Sequence, residues 1–134
     1  MHMDKFKNCA EAIDKPNGLA VLGYLIDIGD HNKSYEMLTD GLQSINKSDD
    51  VIKLPSLQLS SLLPSSSHYY RYMGSMTTPP CAPLIWTMFK DFVYLSEKQM
   101  EAFRRLGNSD MDLIFNYRVP QPLDGRVVAS NFKH

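Results

Sequence analysis

The segment from His68 to Phe89 constrains the fold of this chain more than any other part of the sequence. Three tyrosines lead through Gly74 into Thr77-Thr78-Pro79-Pro80, and an apolar run with the only tryptophan, Trp86, follows. Two consecutive prolines fix φ and bias the preceding threonine away from helix. The pattern predicts two strands joined by a rigid corner, in which the backbone holds the threonine hydroxyls at a defined place.

Further strands are predicted on both sides of this corner. Its own arms should be Tyr69–Ser75 and Leu84–Lys90. The nearly continuous apolar run 19–28 is typical of a strand covered on both faces. The other predicted strands are shorter: Val51–Leu54, Phe92–Leu95, Leu113–Phe115 and the weakly alternating stretch 126–132.

Three helices complete the prediction. A short polar helix or turn precedes Asn17-Gly18, and apolar spacing predicts a helix over 35–45, weakened by Gly41. Ser96 should cap the best-marked helix, with Gln99 completing a capping box. Its expected buried stripe is Met100, Phe103 and Leu106. The fold class is therefore mixed α/β with a sheet-dominated core.

Composition fits one ordinary globular domain and excludes several functions. The 134 residues are 43% hydrophobic and 22% charged, and 14 Lys+Arg stand against 15 Asp+Glu, for a net charge of −1. Such a balance gives no basic field for a nucleic acid. We find neither a signal peptide nor an apolar run of membrane-spanning length, so no membrane segment is expected and a cytoplasmic location is the default.

Four blocks in the same order resemble the alpha-class carbonic anhydrases. They are 15–23 (KPNGLAVLG), the corner segment 68–89, 95–106 (LSEKQMEAFRRL) and 116–126 (NYRVPQPLDGR). They cover nearly the whole chain but only about the C-terminal half of the family's domain. The resemblance thus implies that residues 1–134 are a single truncated domain, part of that family's central mixed β-sheet with surface helices.

The resemblance also implies roles for particular residues. Thr77 matches the threonine that orients zinc-bound hydroxide, and Thr78 lies at the mouth of that site. Val21, Leu84 and Trp86 match the apolar wall on which carbon dioxide rests, although the interval between Pro80 and Trp86 is one residue shorter than usual. Met76 replaces the family's usual leucine, a volume-conserving change. Pro80 is expected to follow a cis peptide bond.

The family's zinc is held by three histidines, and this chain does not show that pattern. Its histidines are His2, His31, His68 and His134, with no His-x-His pair. Only His2 could be a remnant of one ligand, and a single terminal histidine cannot hold catalytic zinc. We therefore expect no tight zinc binding by this chain and no catalytic activity from the chain alone.

The two cysteines leave the compartment open. Reduced thiols are the default for Cys9 and Cys81, and we do not expect them to pair. The Pro-Pro-Cys form at Cys81 resembles the secreted and membrane-bound branch of the family, in which this cysteine pairs with one near the mature N-terminus. An extracellular location would follow if the parent protein belonged to that branch.

Three interpretations of this chain remain open. The first is reversible hydration of carbon dioxide to bicarbonate by family descent, with the isolated chain inactive. The second is a non-catalytic carbonic-anhydrase-related module that binds a protein partner. The third is a fragment that hardly folds, because unpaired sheet edges and open apolar faces favour self-association.

Overall fold

The computed structural model describes residues 6–13, 15, 17–45, 49–106 and 117–133. Its regular elements form two mixed or parallel sheets with few helices, so the predicted sheet-dominated α/β class is confirmed. In chain order the elements are helix α1 (Cys9–Ala12), strands β1 (Ala20–Gly23) and β2 (Ile26–Ile28), helix α2 (Lys33–Leu42), a 3₁₀ helix (Leu59–Leu62), strands β3 (Tyr69–Ser75), β4 (Pro83–Phe89) and β5 (Val93–Leu95), helix α3 (Glu97–Arg105) and strand β6 (Ala129–Ser130).

The chain divides into two compact units. The first consists of Met1–Tyr24, Ser66–Asp91 and Tyr117–His134, and the second of Leu25–Ser65 and Phe92–Asn116. No helix within the described ranges has the length and apolarity needed to cross a bilayer.

A four-stranded sheet in the order β1-β4-β3-β6 forms the first unit. β1 runs parallel to β4, whereas β3 is antiparallel to both β4 and β6. The chain end is fixed to β3 by Asn131, whose Oδ1 accepts a hydrogen bond from Tyr69 N at 2.8 Å and whose Nδ2 donates to Ser67 O at 2.8 Å. β3 and β4 are the longest strands of this unit, and β1 and β6 pair with their outer edges.

The apolar run 19–28 forms two strands instead of the single strand that was predicted. β1 pairs with β4 in the first unit, and β2 pairs in parallel with β5 in the second. The expected cover on both faces is also wrong, since Leu22 is 54% exposed and Ile28 is 45% exposed. The reason is that, among the described elements, β1 contacts chiefly β4 and β2 contacts chiefly β5, so little other chain covers their faces.

In the second unit α2 packs against α3 and the 3₁₀ helix, and β2 pairs with β5. Its most buried large side chains are Tyr35 and Leu95. The Tyr35 hydroxyl donates a hydrogen bond of 2.7 Å to Leu62 O, which ties α2 to the 3₁₀ helix. α3 begins with the predicted capping box, because the Ser96 side chain accepts from Gln99 N and the Gln99 side chain accepts from Ser96 N.

Two predictions for the second unit are corrected. The segment 51–54 forms no strand; Ile52 and Leu54 instead lie against α2, so close that a Cβ at Gly41 would stand 2.5 Å from Ile52 Cδ1. The expected stripe on α3 is only half-buried, and the buried residue of that helix is Gln99. The predicted strand 113–115 lies outside the described residues.

Candidate functional site

The corner between β3 and β4 is closed by backbone hydrogen bonds. Met76 N donates to Ala82 O at 2.9 Å, which ends the ladder of the hairpin. Beyond it, Cys81 N donates to Thr78 O at 2.9 Å, and Cys81 itself has a φ of 56°. The Pro79–Pro80 peptide bond is cis, as predicted. The threonines of the corner are thus held by the backbone on either side of them, and both side chains are exposed.

Trp86 lies directly behind this corner. It is paired with Tyr72 across the hairpin and with Val21 of β1, so these three side chains share one face of the sheet. The indole Nε1 donates a hydrogen bond of 3.0 Å to Ser75 O, two residues before Thr77. The tryptophan therefore supports the end of β3 as well as filling the sheet face.

An open groove with a volume of about 570 Å³ lies on this face. Thr77 and Trp86 both line it, so the structure brings together two of the residues predicted for the site. Of the others, Thr78 and Met76 adjoin Thr77 in the chain but do not line the groove, and neither does Val21. Leu84 is only 2% exposed and belongs to the core of the sheet.

The far wall of the groove comes from the loop that precedes β6. Arg118, Val119, Leu123 and Arg126 line it. This segment carries part of the resemblance to the family, but no role in the site was predicted for it. In the sequence this segment shows only an irregular, proline-broken pattern with two arginines. Such a pattern does not indicate where the loop lies in the fold.

The described residues do not by themselves fit a three-histidine zinc site. In that part of the chain no three His, Cys, Asp or Glu side chains come together as possible metal ligands. His31 lies 3.6 Å from Glu36, and the His68 ring packs at 5.3 Å from the ring of Phe132. His2 and His134 lie outside the described residues. Cys81 is a free, exposed thiol.

Comparison with known proteins identifies the family of this sequence. A family model described as eukaryotic-type carbonic anhydrase matches residues 1–132. Mouse carbonic anhydrase 7 is 38% identical over an aligned length of 135 positions, and the alignment covers 96% of this chain and 51% of the relative. Mitochondrial carbonic anhydrase 5B of the rat is 37% identical over an aligned length of 136 positions, and this alignment covers 97% of the chain and 43% of the relative. The chain thus spans about half the length of the curated relatives it matches.

Proposed function

Because the chain belongs to the eukaryotic-type carbonic anhydrase family, we propose that it carries the substrate side of a site for the reversible hydration of carbon dioxide. The observation that carries this proposal is the hairpin corner, where Thr77 stands beside Trp86 at one groove. Zinc, the family's usual metal, would need ligands beyond those that the described residues offer. We propose that the isolated chain does not catalyse the reaction.

In this proposal Thr77 is the residue that orients the attacking oxygen. Its hydroxyl can both donate and accept a hydrogen bond, and the backbone around it is fixed by the cis proline pair and two hydrogen bonds. A hydroxyl on a fixed backbone needs little reorganisation when the reaction occurs. Such a preorganised group can stabilise the charge that develops in the transition state. Thr78 stands beside it at the mouth of the site.

The proposed wall for carbon dioxide is apolar. Trp86 and Val21 share the sheet face behind the corner, Met76 adjoins Thr77, and Leu84 supports the wall from within the core. An apolar wall suits carbon dioxide because the molecule has no net charge or hydrogen-bond donor. By the same proposal, residues 1–134 are part of one carbonic anhydrase domain.

The first test is carbon dioxide hydration by the purified chain with added zinc. We expect a rate no higher than that of the same concentration of free zinc. A higher rate would show that the chain assembles a catalytic metal site and would overturn the proposed inactivity.

The second test adds the missing part from a relative. The portion of mouse carbonic anhydrase 7 outside its 135 matched residues would be mixed with this chain and zinc. We expect hydration activity only in the mixture, and we expect Thr77→Val to lower it by about 100-fold, the usual loss for one preorganised hydrogen-bonding group. Ser61→Ala, an exposed hydroxyl in the second unit, is the control. An inactive but stable complex would favour the non-catalytic binding module.

We also propose that the chain associates with itself through β1. Among the described residues this strand has a hydrogen-bonded neighbour on one side only, and its Leu22 is 54% exposed. An open strand edge with an apolar side chain is a template for pairing with another chain.

A further inference from the structure

The groove of the first unit has a positive charge that the proposed hydration does not use. Two guanidinium groups, Arg118 and Arg126, line it, and none of its described lining residues is acidic. No ion pair joins either arginine to a carboxylate within the described ranges. The electrostatic complement of this groove is therefore an anion.

The two arginines differ in how many of their donors are already engaged. Arg126 donates from all three of its nitrogens to backbone carbonyl oxygens: Nε to Leu123 at 3.0 Å, Nη2 to Pro122, and Nη1 to Met73 at 3.4 Å. Its role is to fasten the loop to β3.

Arg118 donates hydrogen bonds to described atoms from only one of its three side-chain nitrogens. Its Nη1 donates to Ser75 Oγ at 3.4 Å and to Met76 O at 3.5 Å, and both contacts are at the long limit of a hydrogen bond. These contacts hold the guanidinium near the corner, while Nε and Nη2 bond to no described atom. A guanidinium with two neighbouring donors left can bind a carboxylate in a bidentate way.

The opposite side of the same groove is aromatic and apolar. Tyr72 and Trp86 lie side by side on the sheet, and Met88 continues this surface along β4. A flat apolar group fits against such side chains, since aromatic rings offer large contact areas at a small cost in side-chain entropy.

We propose that this groove binds a small organic monoanion with an apolar body, the carboxylate on Arg118 and the body against Tyr72 and Trp86. The site differs from the proposed hydration site in two ways. It requires no metal, and its anchor is Arg118 rather than Thr77. Its ligand class is an aryl or alkyl carboxylate.

The fluorescence of Trp86 can report ligand binding, because Trp86 is the only tryptophan of the chain and lines the groove. Its fluorescence would be titrated with phenylacetate, with the neutral isostere phenylacetamide, and with acetate and bicarbonate, all in the presence of a metal chelator. We expect saturable binding of phenylacetate and about tenfold weaker binding of the three others, because each lacks either the charge or the apolar body. Absence of saturable phenylacetate binding, or equal binding of any of the three, would overturn the proposal.

Variants of Arg118 separate ligand binding from structural support. Arg118→Met should weaken phenylacetate binding about tenfold, and Arg118→Lys should recover part of this loss, since a lysine keeps the charge without the planar fork. Arg105→Met is the control with the same change in net charge, and this side chain is 72% exposed in the second unit. A thermal melt of each variant checks folding. Unchanged binding in folded Arg118→Met, or an equal loss in Arg105→Met, would overturn the proposal, and the phenylacetamide comparison remains decisive should Arg118→Met fail to fold.

Discussion

At Gly74, the backbone of β3 leaves no room for a side chain beside the indole of Trp86. A Cβ at this position would lie 2.7 Å from Trp86 Cδ1 and 3.0 Å from Tyr72 Cε2. Any larger side chain at this position would clash with the indole. The glycine therefore leaves room for the tryptophan behind the corner that carries Thr77.

Gly74→Ala should lower the free energy of unfolding by about 1–3 kcal/mol, because the added methyl group must push the indole aside. Urea denaturation measures the loss, and the emission spectrum of Trp86 should change in the native state. Gly125→Asn is the control: that glycine has a φ of 76°, which asparagine tolerates, and nothing lies within 4 Å of its Cβ position. Equal stability losses in the two variants would contradict this account.

At the same scale, the residues that line the groove include some that were predicted from the sequence and others that were not. Thr77 and Trp86 were predicted from the resemblance of the corner segment to the family, and both line the groove. Arg118 was missed because its contact with Ser75 joins residues 43 positions apart. Such a contact depends on where a loop returns, and a local pattern contains no information about that.

The starts of α2 and α3 are joined by one buried side chain, Gln99. Its Oε1 accepts hydrogen bonds from Asn32 N at 2.9 Å and from Ser96 N at 3.2 Å, and its Nε2 donates to Asn32 O at 2.8 Å. Asn32 is in turn the N-cap of α2, accepting from Ser34 N. A capping box predicted from sequence thus also links two helices, which the sequence did not indicate.

Gln99→Ala should cost about 2–3 kcal/mol, because it leaves the half-buried N–H of Asn32 without its partner and removes one of the two hydrogen bonds to the Asn32 carbonyl oxygen. Ser96→Ala, which removes only the local cap, should cost about 1 kcal/mol. Denaturation followed by far-ultraviolet circular dichroism measures both, with the exposed Lys98→Ala as the neutral control. The link between the helices would be refuted if Gln99→Ala cost no more than Ser96→Ala.

At the scale of the whole molecule, self-association is expected to depend on the edge of β1 that has no neighbouring strand among the described residues. Among the described residues only β4 pairs with this strand, and Leu22 is 54% exposed. The proposed self-association follows from this edge.

Leu22→Lys should raise the dissociation constant of self-association by about tenfold or more, because a charge at the edge must be desolvated when two strands pair. Sedimentation velocity over a range of concentrations measures this. Leu59→Lys is the matched control, since Leu59 is 71% exposed in the 3₁₀ helix rather than in a strand. A chain that is monomeric throughout, or an equal effect of both variants, would refute the role of β1.

The sequence by itself determined the family, the sheet-dominated class, the β3–β4 hairpin with its cis proline and the capped start of α3. The hairpin and the start of α3 depend on residues close together in the chain, where proline geometry and capping act locally, whereas the family follows from matching blocks spread over residues 15–126. Only the tertiary structure decided that the run 19–28 divides between two sheets, that Gln99 is buried, and that Arg118 reaches the corner. These features depend on which distant segments meet, and so on the cover and hydrogen-bond partners that a segment finds after folding.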